Sequence, residues 1–200
     1  MILGPKKLLQ LVKTKKLVEG LAERELRTPE GAGFDLRLGE LYQLKGGKAF
    51  LGEFERETPK LKLVAKYPSF AKASHSAEAS RDKSEGKQKS KTNKITIKPG
   101  EFYIATTIEK VNTPLDITIN FKPRTTTFRS GLFLRTGNVA PGYCGKLTFA
   151  IKNEGPIPVT LEMGCRIVHA QFEWVDGDGH QYKGQWQGGR VTTRRKEKQI

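Results

Sequence analysis

Long apolar runs are missing from this chain. None approaches the roughly 18 residues that a membrane-spanning helix requires, so no membrane partner is expected. Cysteine is scarce, with two residues in 200, Cys144 and Cys165. So small a supply excludes a disulfide framework, and the two are expected to be reduced thiols serving as small packing residues. Neither belongs to a CxxC, and His75, His169 and His180 form no HxxxH or HxE arrangement, so no zinc site is expected. The loops that usually cradle phosphate, GxxxxGK[ST] and a GxGxxG after a strand, are absent as well. DGDG at 176–179 lacks the later ligands of a calcium loop and reads as a turn. The opening MILGPKKLLQLVKTKKLV interleaves lysines with leucines, and no small-residue cleavage site follows an apolar stretch. An ordinary signal peptide is therefore not expected, and the cytoplasm is the expected compartment.

Positive charge, by contrast, is abundant. Lys and Arg number 36 against 21 Asp and Glu, a formal charge of +15, which invites anionic partners. The charge gathers in the first helix (Lys6, Lys7, Lys13, Lys15, Lys16), in the segment 72–94, and in the tail (Arg190, Arg194, Arg195, Lys196, Lys198). A solvated fringe and a binding surface are both open on charge alone.

Residues 5–17 read as one amphipathic helix, with Pro5 in its first turn and Leu8, Leu9, Leu11 and Val12 on one stripe. The period then changes from 3.6 to 2. GFDLRLGEL (33–41), AFLGEF (49–54), LKLV (61–64), ITI (95–97), FYIATTIEKV (102–111), LDITINF (115–121), GLFL (131–134), KLTFAIKN (146–153), PVTLEMG (158–164) and CRIVHAQFEWV (165–175) predict short strands. Turn residues separate them, and many short strands at close spacing argue for an antiparallel sandwich or barrel. From Ala73 to Lys94 there is no Val, Ile, Leu, Met, Phe, Trp or Tyr, so 73–94 is expected to be a disordered polar insertion inside one β-domain of residues 1–180. Residues 181–200 read as an arm and basic tail, whose Tyr182 and Trp186 call for something to stack on.

The strongest constellation is RTTTFRSGLFL, Arg124–Leu134. Two arginines five apart bracket three threonines at a strand-to-turn junction, and guanidinium forks beside hydroxyls form an anion cup. A β-branched edge strand with solvated arginines fits the same residues. Elsewhere, His169 is expected to pack inside, and Glu101 and Glu109 to face solvent.

RTTTFRSGLFL, followed by GNVAPGYCGKLTFAIKNEGPIPVTLEMGCRIVHAQF, resembles the dCTP deaminase / dUTPase superfamily, closest to its deaminase branch. That branch reads R-S-S-x-x-R-x-G-L, then I-D-P-G-[WFY]-x-G-x-[IL]-x-[LF]-E-[IL]-x-N, then P-x-x-L-x-x-G-x-[RL]-I. The opening MILGPKKLLQLV, GFDLRLG, PGEFYIATTIEKVNTP and the late YKGQWQGGRVTT also match the family's elements in order; only 73–94 has no counterpart. The resemblance implies a distorted β-barrel or jelly roll with a short N-terminal helix, in a homotrimer whose active sites lie between subunits. One chain's tail, here Tyr182, Gln185, Trp186 and Gln187, would close over another's site. It further implies a deoxynucleoside triphosphate held by Arg124, Thr125, Thr126 and Arg129, usually with Mg²⁺, and chemistry without zinc.

The catalytic positions depart from the pattern. The deaminase glutamate that activates water falls at Ala150, and the dUTPase aspartate falls at Ala140. In the tail Gln185 replaces a Lys and Gly189 a Gln. A methyl group accepts no proton, and such a base is worth about 10²–10⁴-fold in rate. Three readings therefore stand open. The chain is an enzyme of pyrimidine deoxynucleotide metabolism (a dCTP deaminase or dUTP diphosphatase) using another acid, with Glu154 as candidate. Alternatively it is a nucleotide-binding or structural pseudoenzyme. The less favoured third is a basic trimer that binds nucleic acid.

Overall fold

A computed structural model of the chain describes residues 1–68, 94–177 and 179–198. In chain order the elements are α1 (Pro5–Lys15), β1 (Val18–Glu19), α2 (Glu23–Arg27), β2 (Phe34–Leu44), β3 (Phe50–Leu51), β4 (Glu55–Glu57), β5 (Leu61–Lys66) and β6 (Lys94–Ile97). They continue with β7 (Phe102–Asn112), β8 (Ile117–Pro123), α3 (Thr125–Arg129), β9 (Leu132–Arg135), β10 (Cys144–Asn153), β11 (Val159–Glu162), β12 (Arg166–Trp174) and β13 (Glu197–Lys198). The main sheet runs β8-β12-β2-β7-β10-β9, with β1 added on β7 and β5 on β2. A bridge from Ile119 to Val139 brings the loop after β9 back to β8, so the sheet curls into a distorted, nearly closed barrel. The pairs β6–β11 and β3–β4–β13 form two small satellite sheets.

The period-2 reading of the sequence holds through the core. Leu41 of β2, Ala105 of β7 and Phe149 of β10 lie in register across three strands, all buried. Ile117, Ile119, Leu147, Ile151 and Phe172 fill the same interior. Phe34 meets Phe172 edge-on at 5.8 Å, and Phe121 meets Phe149 at 5.4 Å. Each fully buried Leu, Ile or Phe contributes about 1.5–3 kcal/mol. The first helix buries Leu8 and Leu11 and ends at Lys15, two residues before the predicted end, because Lys16 takes a left-handed conformation with φ 51°. Gly39 permits the closest approach of β2 to β7: a Cβ there would lie 2.6 Å from the Thr107 carbonyl oxygen.

Three expectations are corrected. AFLGEF is not one strand: it holds the short β3 and a turn at Gly52–Phe54, after which Glu55 opens β4. Glu109 does not face solvent. It is fully buried on the core side of β7, and its carboxylate accepts from Arg37 Nε at 2.7 Å and from the Arg37 backbone N–H at 2.9 Å. Burial pushes the Glu109 carboxyl above its ordinary range, and the Arg37 bonds oppose that. Glu101 is half-buried and accepts from the Lys98 N–H and the Tyr103 hydroxyl. Residues 73–93 of the polar insertion lie outside the described residues, whereas Lys94 opens β6. Both cysteines are free; Cys144 Sγ donates to Asn112 Oδ1 at 3.0 Å, and burial pushes the Cys165 thiol up to about 11.

Candidate functional site

The Arg/Thr segment forms α3, a single turn of helix leaving β8, with Arg124 just before it. Its two arginines play opposite parts. Arg124 turns inward and pairs with the buried carboxylate of Asp35 on β2. The same carboxylate takes Arg166 Nη1 at 3.0 Å and has Arg24 Nη1 at 3.9 Å, while its other oxygen lies 3.0 Å from His169 Nδ1. Glu25 of α2, also buried, accepts the Asp35 N–H and pairs with Arg24 at 2.7 Å. Two carboxylates, three guanidiniums and an imidazole thus clamp the root of α3 to the barrel. Arg129, Thr125 and Thr126 remain exposed on the outer side of the turn, beside Phe128. Thr127 donates to the Ile167 carbonyl at 3.3 Å, and Ser130 to that of Thr126 at 2.8 Å. Chemically this is a turn held rigidly from behind, with a guanidinium that has no partner among the described residues and two hydroxyls in front.

His169 satisfies its expected packing role. Burial holds its imidazole below the ordinary histidine value, with Arg124 and Lys122 adding to the effect; the Ala32 carbonyl and Glu25 oppose it. A depressed folded-state value means that the unfolded chain binds the proton first. The contribution is complete above the ordinary value of about 6.5 and is lost as pH falls from there through the lower folded-state value. The urea midpoint should fall between pH 7 and 5.5, and His169→Gln should flatten that slope. An unchanged slope in the variant would remove His169 as the cause.

A second feature is a cavity of about 430 Å³ between β8, the loop 137–143, β10 and the tail. Phe121, Val139, Ala140, Tyr143, Leu147, Tyr182 and Trp186 give it apolar and aromatic walls; Asn138, Thr58, Thr148 and Arg190 add polar groups. No carboxylate is among its lining residues. The tail builds one wall. Tyr182 stacks edge-on against Tyr143 at 5.4 Å, and Gln187 accepts from the Cys144 N–H at 3.0 Å and donates to the Gly142 carbonyl at 3.1 Å. The tail crosses β10 at Gly145, where a Cβ would lie 2.4 Å from the Gly189 nitrogen. Gln185 buries both polar atoms of its carboxamide with no partner among the described residues. The resemblance implied a tail closing over another subunit's site. In this structure the tail lies across the cavity of its own chain.

The dCTP deaminase-like family model matches residues 2–175. The chain belongs to that family. Among its relatives, the dUMP-forming dCTP deaminase of Dictyoglomus thermophilum is 37% identical over 78 residues, covering 38% of this chain and 40% of that protein. The probable deoxyuridine 5'-triphosphate nucleotidohydrolase of Methanothermobacter thermautotrophicus is 27% identical over 156 residues, 78% of this chain and 85% of that protein. Among solved structures, the 2'-deoxycytidine 5'-triphosphate deaminase of Agrobacterium tumefaciens superposes with a TM-score of 0.59 at 16% identity. That match covers 86% of this chain and 47% of that one, and shares the fold. The chain thus spans less than half the length of the Dictyoglomus protein.

Within this dCTP deaminase-like fold the sequence-marked residues fall into two groups. Ala140, Tyr182 and Trp186 meet in the cavity wall; Arg124, Thr125, Thr126 and Arg129 are not among its lining residues. Ala150 sits on β10 between Ile104 of β7 and Arg135 of β9. Glu154 is exposed beyond the end of that strand, 3.7 Å from Lys152, and about 13 Å along the chain from Ala150 at strand rise. Asn153 is fully buried and ties the same turn down, donating to the Ile97 and Ile157 carbonyls at 2.9 and 2.8 Å. Arg190, which the sequence marked only as one of the tail's charges because it matches no motif position, enters the cavity wall and pairs with Glu197 at 2.7 Å.

Proposed function

We propose that the protein binds a deoxynucleoside triphosphate without turning it over. The nucleoside occupies the aromatic cavity, and the phosphates lie on Arg129, Thr125 and Thr126 of an adjoining copy in a homotrimer. The observation that carries this reading is the pairing of an anion-ready turn with a cavity whose lining holds no Asp or Glu. The separation of turn and cavity within one chain supports a site completed between copies. Arg124 acts from behind, fixing the turn through Asp35. Glu154, drawn toward Lys152, offers no replacement base at Ala150. The names of the matched relatives, a dCTP deaminase and a probable deoxyuridine 5'-triphosphate nucleotidohydrolase, support a role in deoxynucleotide handling; no helix of the described residues is long and apolar enough to cross a membrane.

The residues of the turn suit phosphate, not a metal. They are a guanidinium and hydroxyls, and the described residues contain no group of three His, Cys, Asp or Glu fit to hold an ion. A Mg²⁺ would have to be carried by the triphosphate's own oxygens.

Titration calorimetry with dCTP and dUTP in Mg²⁺, with anion-exchange analysis of the mixtures, tests the reading. Wild type is expected to bind and return the nucleotide unchanged. Arg129→Ala should weaken binding at least tenfold, since a hydrogen bond to a charged group is worth about 1.5–3 kcal/mol. Unchanged affinity would sink the phosphate assignment. Product formed by wild type alone would make the protein an enzyme with an acid elsewhere.

A further inference from the structure

We infer that the satellite sheet β3–β4–β13 is a binding platform for single-stranded nucleic acid, separate from the cavity. The hairpin of β3 and β4 presents Phe50 (45% exposed), Leu51 (85%) and Phe54 (71%) to solvent. So many exposed apolar side chains within five residues are not explained by the hairpin's own packing. Phe50 lies over the turn at Gly52, where even a Cβ would come within 2.8 Å of the ring. Phe50 and Phe54 together line a shallow groove of about 580 Å³ with Gly52, Glu53, Glu55 and Lys198.

The surroundings of the rings are basic. Residues 45–66 hold six Lys and Arg against three Glu, and residues 190–198 hold five against one. The C-terminal strand brings these two segments together, pairing Glu197 with Arg56 and Lys198 with Glu55. Lys196 stands 4.9 Å over the Phe50 ring and pairs with Glu55, leaving Glu53 as the groove's unneutralised acid. Arg194, Arg195 and Lys198 are exposed along the rim.

Two exposed rings, Phe50 on β3 and Phe54 in the adjoining turn, with Lys196 beside the first, match an unpaired strand: phosphates take the Lys and Arg, and bases stack on the rings. A duplex hides its base faces and would leave the rings unused. A lipid surface calls for a continuous apolar helix face with basic flanks, whereas these apolar residues stand on a hairpin among charges of both signs.

The test is fluorescence anisotropy of a labelled 20-nucleotide single strand with the full-length protein, titrated from 50 to 200 mM salt. Binding should weaken steeply with salt, with a logarithmic slope of about 0.7 per phosphate neutralised. Arg195→Gln with Lys198→Gln should lower that slope by about 1.4. Phe50→Ala with Phe54→Ala should weaken binding at least tenfold at fixed salt, since stacking on an aromatic ring is worth about 1–3 kcal/mol per base. Retained dCTP or dUTP affinity and an unchanged melting temperature would certify the fold of each variant; where the cavity binds no nucleotide, melting alone does so. Absence of binding at 50 mM salt overturns the inference, as does affinity indifferent to both variants. Sedimentation with anionic vesicles but no oligonucleotide binding would overturn it in favour of a membrane surface. A change in molar mass by light scattering in the Phe variant, again without oligonucleotide binding, would assign the hairpin to self-association.

Discussion

Replacing Asp35 by alanine should destabilise the protein by about 3 kcal/mol, the lower part of the range for breaking a buried ion pair. The carboxylate is 5% exposed and is the shared partner of Arg124, Arg166 and His169. Its removal leaves two guanidiniums facing each other with no anion between them. Arg124 and Arg166 keep 23% and 35% of their side-chain surface in water, which is why the upper end of the range is not expected. Urea denaturation at pH 7 would measure the loss directly, and in a chain of this size the melting temperature should drop by about 6–12 °C. Asp35→Asn should fall between the two, since an amide oxygen still accepts from one arginine. Because the cluster anchors α3, triphosphate binding should weaken in both variants at temperatures where they remain folded. A loss below about 1 kcal/mol in Asp35→Ala would show that the clamp is not what fixes the turn.

That clamp marks the limit of what the sequence could convey. The alternation of Ile117, Ile119 and Phe121, and of Leu147, Phe149 and Ile151, made the barrel strands legible because side chains on a strand change face at every residue. The same parity ran through Tyr103, Ala105, Thr107, Glu109 and Val111, all buried. The charge on Glu109 disguised it, because its justification is Arg37, distant in sequence. The Arg/Thr turn was legible as a chemical type, but spacing could not say which arginine turns inward. Asp35, on another strand, decides that. AFLGEF read as a strand from composition alone, whereas a turn at Gly52 and a partner from the extreme C-terminus make it half of a small sheet. The tail's course over its own cavity depends on two glycines, Gly145 and Gly189, that allow a backbone crossing. No apolar period announces such a contact.

If the proposed binding without turnover holds, Ala150→Glu should yield a slow deaminase. If the family resemblance maps the water-activating carboxylate to this position, restoring it should raise release of deaminated product from dCTP by about 10²–10⁴-fold over wild type. Ala150 does not itself line the cavity, but Thr148, two residues before it on the same outward row of β10, does. Ala150 is half-buried on the outward row of β10 that also carries Thr148 and Lys152, with Ile104 and Arg135 as cross-strand neighbours. A glutamate there would project away from the core, so little packing is lost. Arg135 across the strand favours its charged form and lowers its pKa, so the gain should be present at neutral pH and fade only under acid conditions. Anion-exchange analysis of dCTP incubated with Ala150→Glu, Ala150→Gln and wild type separates the possibilities. Product from the glutamate variant alone would establish that an otherwise complete site lacks one proton acceptor. Unchanged triphosphate affinity with no product from any of the three would mean that the proposed lack of turnover rests on more than this residue. Ala140, in the cavity wall, would then be the next position to change.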